Sequence, residues 1–274
     1  MKREGFREEI KKVVGNNQSG VEERIDLVFQ MLDERHDIYK GGDEGEEIMA
    51  YSELIDMLKE ENKNHEFDLQ YLQLNTLLAE QYVKLKEYRN LKIVALDTLD
   101  LLREESTPYD CLEYTIPRIA SAVEFSVYNH YLFEILLYFL REAYKNGKLD
   151  EDLKFEVKQV LKLNILLQDN LIPNGMFDKN FVEALTKLLT PQELMDIILH
   201  PSLSSLKVDP VEYTWEWENI FYTVEDELNL LLSEVPRGMG FCFNYWSAKE
   251  ELLKKKYNIV WKSPSMMNPR VMFD

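Results

Sequence analysis

The stretch FDLQYLQLNTLLAEQYVKL, residues 67–85, has the period of an α-helix. Phe67, Tyr71, Leu74, Leu78, Tyr82 and Leu85 recur at steps of four and three residues and so share one stripe. Asp68, Gln70, Gln73, Glu80, Gln81 and Lys84 fill the polar positions between them. Beyond Lys86–Asn90 a second segment starts. Leu91, Val94, Ala95, Thr98, Leu101 and Leu102 form its main stripe, widened by Ile93, Leu96 and Leu99. A helix apolar over most of its circumference belongs between neighbours.

The same period runs outward in both directions. It predicts helices over 21–38, 46–59, 110–126, 128–145, 151–168, 177–188, 191–198, 211–234 and 242–257. Pro117 marks a kink or restart inside one of them. Asn146-Gly147 reads as a helix stop, and Thr190 as an N-cap before Pro191. No segment shows period-two alternation over several residues, and the only strand candidates are Asn258 to Lys262 and Arg270 to Phe273, both in the tail. The expected fold is therefore all-α: about ten helices with short links, packed as antiparallel hairpins into a solenoid or a bundle. Residues 1–209 read as the hairpin body, and 210–274 as aromatic-rich C-terminal helices and a tail packed on the same core.

Residues 77–99, LLAEQYVKLKEYRNLKIVALDTL, resemble one unit of the tetratricopeptide repeat family. Leu78, Ala79, Tyr82, Tyr88 and Ala95 occupy the family's positions. Leu91 stands where that family usually has Ala, its closing Pro is missing, and no second copy at its spacing is evident. The resemblance implies a helix-hairpin scaffold with a concave face and names no ligand.

Composition narrows the function classes. The chain has 274 residues and a net charge of -18, from 32 basic and 50 acidic side chains. Nucleic-acid affinity is largely lysine and arginine displacing counterions, so no nucleic-acid partner is expected. Two distant cysteines, Cys111 and Cys242, are no disulfide framework and fit a reducing compartment. The N-terminus lacks the apolar core of a secretory signal. The most apolar run, YLFEILLYFL at 131–140, contains Glu134 and is too short to span a bilayer. A soluble cytoplasmic protein with no membrane partner is expected. Its oligomeric state is left open.

Charge is unevenly placed. From Asp43 to Glu61 eight acids meet one base, Lys59, after the Gly-rich opening KGGDEGEE at 40–47. That spacing is not a calcium loop and reads as a solvated helix face. Residues 249–274 hold six bases and three acids, leaving -21 on residues 1–248. All four tryptophans lie in the last 60 residues. The string PRGMGFCFNYW, residues 236–246, places Gly238 and Gly240 before a helix, beside Arg237. It fits a helix-to-helix turn, and no phosphate fingerprint matches it. Met266, Met267, Val271, Met272 and Phe273 are too apolar for a free tail and are expected to pack on the body.

Chemistry is thinly represented. Each of His36, His65, His130 and His200 has an acid three or four positions away, yet no Glu-x-x-His or HExxH pattern occurs. No nucleophile elbow or kinase signature appears. No catalytic residue, no metal site and no cofactor are therefore expected. The function expected is a helical scaffold that binds another protein, with its contacts among Arg237, Gly238, Gly240, Asn244, Tyr245, Trp246, Lys249, Trp261, Asn268 and Arg270. The alternative is a small-ligand binder or enzyme with a pocket between the C-terminal helices. Trp217 and Phe221 share a stripe with Val224 and Leu228 and read as core.

Overall fold

The computed structural model describes residues 3–39, 43–62, 64–104, 107–124, 127–167, 179–201 and 206–273, without the side chains of residues 3, 4 and 36–39. Lys40 to Gly42 of the Gly-rich opening and the side chain of His36 lie outside the described residues. Among those described, every regular element is helical. The two strand candidates are not strands. In the first, the Lys262 N–H donates to the Asp209 carboxylate at 2.8 Å instead of to a neighbouring strand. The chain divides into two compact units, Met1–Phe125 and Ser126–Asp274, so the expected 209/210 boundary falls inside the second.

The first unit holds α1 (Arg3–Val14), α2 (Val21–Tyr39), α3 (Glu44–Glu61), α4 (Asp68–Leu85), α5 (Tyr88–Arg103) and α6 (Tyr109–Glu124). Helix α1 was not singled out by periodicity; Phe6 and Ile10, four apart, are its buried face. Helix α4 packs against α3, α5 and α6, which explains why its burial exceeds one stripe. Tyr71, Leu74, Leu78 and Tyr82 are buried as their period implies, and so are Leu72, Asn75, Thr76, Ala79 and Gln81. Leu85, at the helix end, is exposed.

The break between α3 and α4 is built on polar side chains. Asn62 caps α3, its Oδ1 accepts the Phe67 N–H at 2.7 Å, and its amide donates to Asp68 at 2.7 Å. Buried Asp68 also accepts from the Thr107 hydroxyl at 2.9 Å, which ties the loop before α6 to the start of α4. Helix α6 runs through Pro117 without ending.

The second unit holds α7 (Asn129–Lys145), α8 (Lys154–Leu166), α9 (Lys179–Lys187), α10 (Pro191–Leu199), α11 (Trp215–Leu231), α12 (Phe241–Leu252) and the short α13 (Pro264–Met267). Helix α7 carries the most apolar run and is buried on nearly every side, with α8 and α9 against it. It stops at Asn146. Gly147 then takes φ 66, and the Lys148 N–H returns to the Ala143 carbonyl at 2.8 Å. Thr190 caps α10 as expected, in a full capping box with Glu193. The predicted helix 211–234 divides: residues Pro210–Tyr213 form a 3-10 turn, and α11 begins after its N-cap Thr214. Trp217, Phe221, Val224 and Leu228 are its buried stripe, as their spacing implies. The predicted 242–257 helix ends in a π turn, Leu253–Tyr257, closed by Asn258 at φ 56.

Candidate functional site

The distinctive side-chain cluster lies in the second unit, around Lys249. Helix α12 carries Tyr245 and Lys249 four residues apart on one face, toward α11. Helix α11 supplies Trp217, Phe221 and Glu225 at the same spacing. The segment after the π turn adds Trp261. The Lys249 ammonium sits 5.0 Å from the Trp217 ring centroid, 5.1 Å from Phe221, 5.4 Å from Trp261 and 5.7 Å from Tyr245. Its side chain is only 8% exposed, and Nζ donates to Glu225 at 2.7 Å.

Such a cage is an electrostatic trap: four ring faces present negative quadrupole to one cation, and a carboxylate neutralises it. The surroundings hold the rings in place. The Trp261 indole N–H donates to Glu212 at 2.7 Å, and the Tyr245 hydroxyl donates to Glu225. Trp217 and Trp261 stack with centroids 6.2 Å apart. Burial pushes the Glu212 carboxyl above its ordinary range, opposed by the Trp261 hydrogen bond and by the charge of Lys249. Asp209 accepts from the Val211 and Lys262 backbones and so anchors the segment that bears Trp261.

Of the residues expected from sequence, Tyr245, Lys249 and Trp261 thus meet in one cage. Trp246 lies elsewhere on α12, edge-on to Phe243 at 5.4 Å and to Phe273 at 5.1 Å. Asn268 joins the tail to Lys207: its amide donates to the Lys207 carbonyl at 2.8 Å, and its oxygen accepts the Lys207 N–H at 2.9 Å. These contacts place the tail against its own unit. Arg237 donates to Asn229 at 3.1 Å and lies over the Phe241 ring. Gly240 is the residue before α12 and takes φ 81, whereas Gly238 shows no positive φ. Asn244 and Arg270 are exposed.

A second cluster escaped the sequence. His130 and Glu218 are both fully enclosed, with His130 Nδ1 2.7 Å from the Glu218 carboxylate. The same carboxylate oxygen accepts the His130 backbone N–H at 2.8 Å, and Trp215 stacks on the imidazole at 4.0 Å. The nearby acid in sequence, Glu134, is not this partner. The pair is separated by 88 residues, and only an unusual buried acid in α11 could have hinted at it. In the first unit, His65 approaches Asp68 at 3.3 Å and Glu104 at 3.1 Å.

No group of three or more His, Cys, Asp or Glu side chains placed to hold a metal occurs among the described residues. Burial, then Asp68 and Asp110, push the Cys111 thiol upward, which suppresses thiolate chemistry there. No described helix is long and apolar enough to cross a membrane. No protein-family model, curated protein or solved structure matches the chain.

Proposed function

We propose that the chain is a cytoplasmic α-helical scaffold that binds another protein through its C-terminal segment and does no chemistry of its own. One observation carries the reading. Among the described residues, eight of the seventeen exposed large apolar side chains fall between residues 230 and 272, less than a sixth of the chain. Leu230, Leu231, Met239, Val260 and Met272 are each more than 60% exposed. We read these exposed apolar side chains as the contact residues for a partner, since apolar and aromatic groups anchor interfaces. Exposed Lys254, Lys262 and Arg270 lie in the same segment, which suits a partner whose apolar side chains are flanked by acids.

Two further features support a scaffold. Helices α4, α5 and α6 pack pairwise on one another, as successive helices do in tetratricopeptide-like hairpin arrays. The Lys249 cage is filled by the chain's own ammonium, so it serves to hold the C-terminal segment in shape. The test is affinity capture from native lysate with the full chain and with a Leu230→Ser, Met239→Ser, Met272→Ser variant. Exposed positions tolerate such changes, whereas truncation would remove Trp261 and open the cage. A specific protein retained by the natural chain and lost by the variant supports the reading. Identical capture by both, or none, overturns it.

A further inference from the structure

The last stretch of the second unit crosses its own body as a strap. Asn258, at φ 56, ends the π turn, and side-chain contacts then tie the chain to the segment before α11. The Trp261 indole N–H donates to Glu212 at 2.7 Å, the Lys262 N–H to Asp209 at 2.8 Å, and the Asn268 amide to the Lys207 carbonyl at 2.8 Å. Trp261 is the plug. It is only 3% exposed, stacks on Trp217 and closes one side of the Lys249 cage.

Two of those anchors are carboxylates: Asp209 is the N-cap of the 3-10 turn and Glu212 lies within it. A third, Glu225 of α11, engages the one enclosed ammonium, Lys249 of α12. The side chains of Lys207 and Lys262 are exposed. Three carboxylates against one enclosed cation leave net negative charge beneath Trp217 and Trp261. Desolvated charge is costly, and a carboxylate relieves the cost by taking up a proton. Glu212 is placed to do so. Burial lifts its carboxyl above the ordinary 4.5 and Asp209 adds to the rise, against the Trp261 hydrogen bond, Lys249 and the Asp209 N–H. Trp261 touches Glu212 directly, so withdrawing the strap returns water to that carboxylate.

We propose that the strap is a proton-linked clasp with Glu212 as its latch: docking takes up a proton, and the strap holds more firmly as pH falls. A group that binds its proton more tightly when docked adds stability that is fully present below its free value. That stability is lost as pH rises through the docked value. The responsive window therefore extends upward from about pH 4.5. The strap carries Val260 and leads into Met266, both exposed, so its hold sets how firmly those side chains are presented. The clasp acts on the chain's own segment and stands whether or not a partner binds there.

The test is amide hydrogen exchange of the full chain by 1H–15N NMR, with protection of the Lys262 amide corrected for the intrinsic pH dependence of exchange. Protection in the natural chain is expected to rise about threefold from about pH 7 to pH 4.5. Glu212→Gln keeps an oxygen for the Trp261 N–H and removes the charge, as protonation does. That variant is expected to show the higher protection already at neutral pH, with no further rise on acidification. A flat or falling profile in the natural chain would overturn the proposal. So would a Glu212→Gln profile that rises in parallel with the natural one or gains no protection at neutral pH, leaving a strap held by packing alone.

Discussion

Lys249 carries its charge into a ring of aromatics, and that single placement makes sharp demands on substitution. Removing the ammonium leaves the Glu225 carboxylate with the Tyr245 hydroxyl but no cation, and the four rings facing a void. Breaking a buried pair from one side costs about 3 kcal/mol, at the low end for such pairs because Glu225 keeps some exposure. Lys249→Ala should lower stability by that amount in urea unfolding followed by tryptophan emission. Millimolar n-propylammonium, which restores the missing atoms, should recover part of the loss, and 1-propanol should not. Equal effects of both additives would show that the cage reads volume and not charge. The turn before α12 offers a second contrast. A Cβ on Gly240 or on Gly238 meets nothing, yet Gly240 has φ 81. Gly240→Ala should therefore destabilise by about 1 kcal/mol through backbone strain alone, while Gly238→Ala should be neutral or stabilising by a few tenths. Matching unfolding midpoints for the two variants would remove the strain argument.

At the scale of elements, the join between α8 and α10 depends on one carboxylate. Glu193 accepts from Lys158 at 2.7 Å, pairs with Lys154 at 3.2 Å and closes the capping box by accepting the Thr190 N–H at 2.8 Å. The Lys158 hydrogen bond, then the Thr190 backbone, bring its pKa down to about 2 from an ordinary 4.5. A carboxyl lowered on folding contributes stability that is fully present above its unfolded value and disappears as pH falls through its folded one. Glu193→Gln should thus accelerate amide exchange in α10 at neutral pH. The difference from the natural chain should shrink between about pH 4.5 and about pH 2 as the natural carboxyl takes up its proton. A gap that stays constant over that range would mean that geometry, not charge, secures the join. The N-cap itself was legible, because Thr190 stands directly before Pro191. The lysine contacts were not, because Lys158 lies 35 residues upstream and periodicity carries no information about which helices meet.

Over the whole chain, the same division separates what was readable from what was not. Helices were legible wherever apolar residues recur every three or four positions, since that signal is local. Leu85 and Phe67 extend the α4 stripe on paper, yet Leu85 is exposed and Phe67 only half-buried. The aromatic richness of residues 210–274 was visible in composition, yet the cage needs Trp217, Phe221, Tyr245, Lys249 and Trp261 at one point, and the His130–Glu218 pair spans 88 residues. Such meetings follow from tertiary packing. The two-unit division gives this a consequence. All four tryptophans, every ring and acid of the Lys249 cage, and both members of the His130–Glu218 pair lie within Ser126–Asp274. That unit has its own buried centre in α7 and α11 and is about the size of an ordinary domain. Expressed alone, residues 126–274 should fold with helical circular dichroism and with the tryptophan emission of the full chain, because no cage partner has been removed. Lys249→Ala should shift the emission of that fragment and of the full chain alike, since Trp217 and Trp261 face the lysine in both. A fragment whose indoles emit as in water would show that the cage requires residues 1–125, and would move its origin from local packing to the chain as a whole.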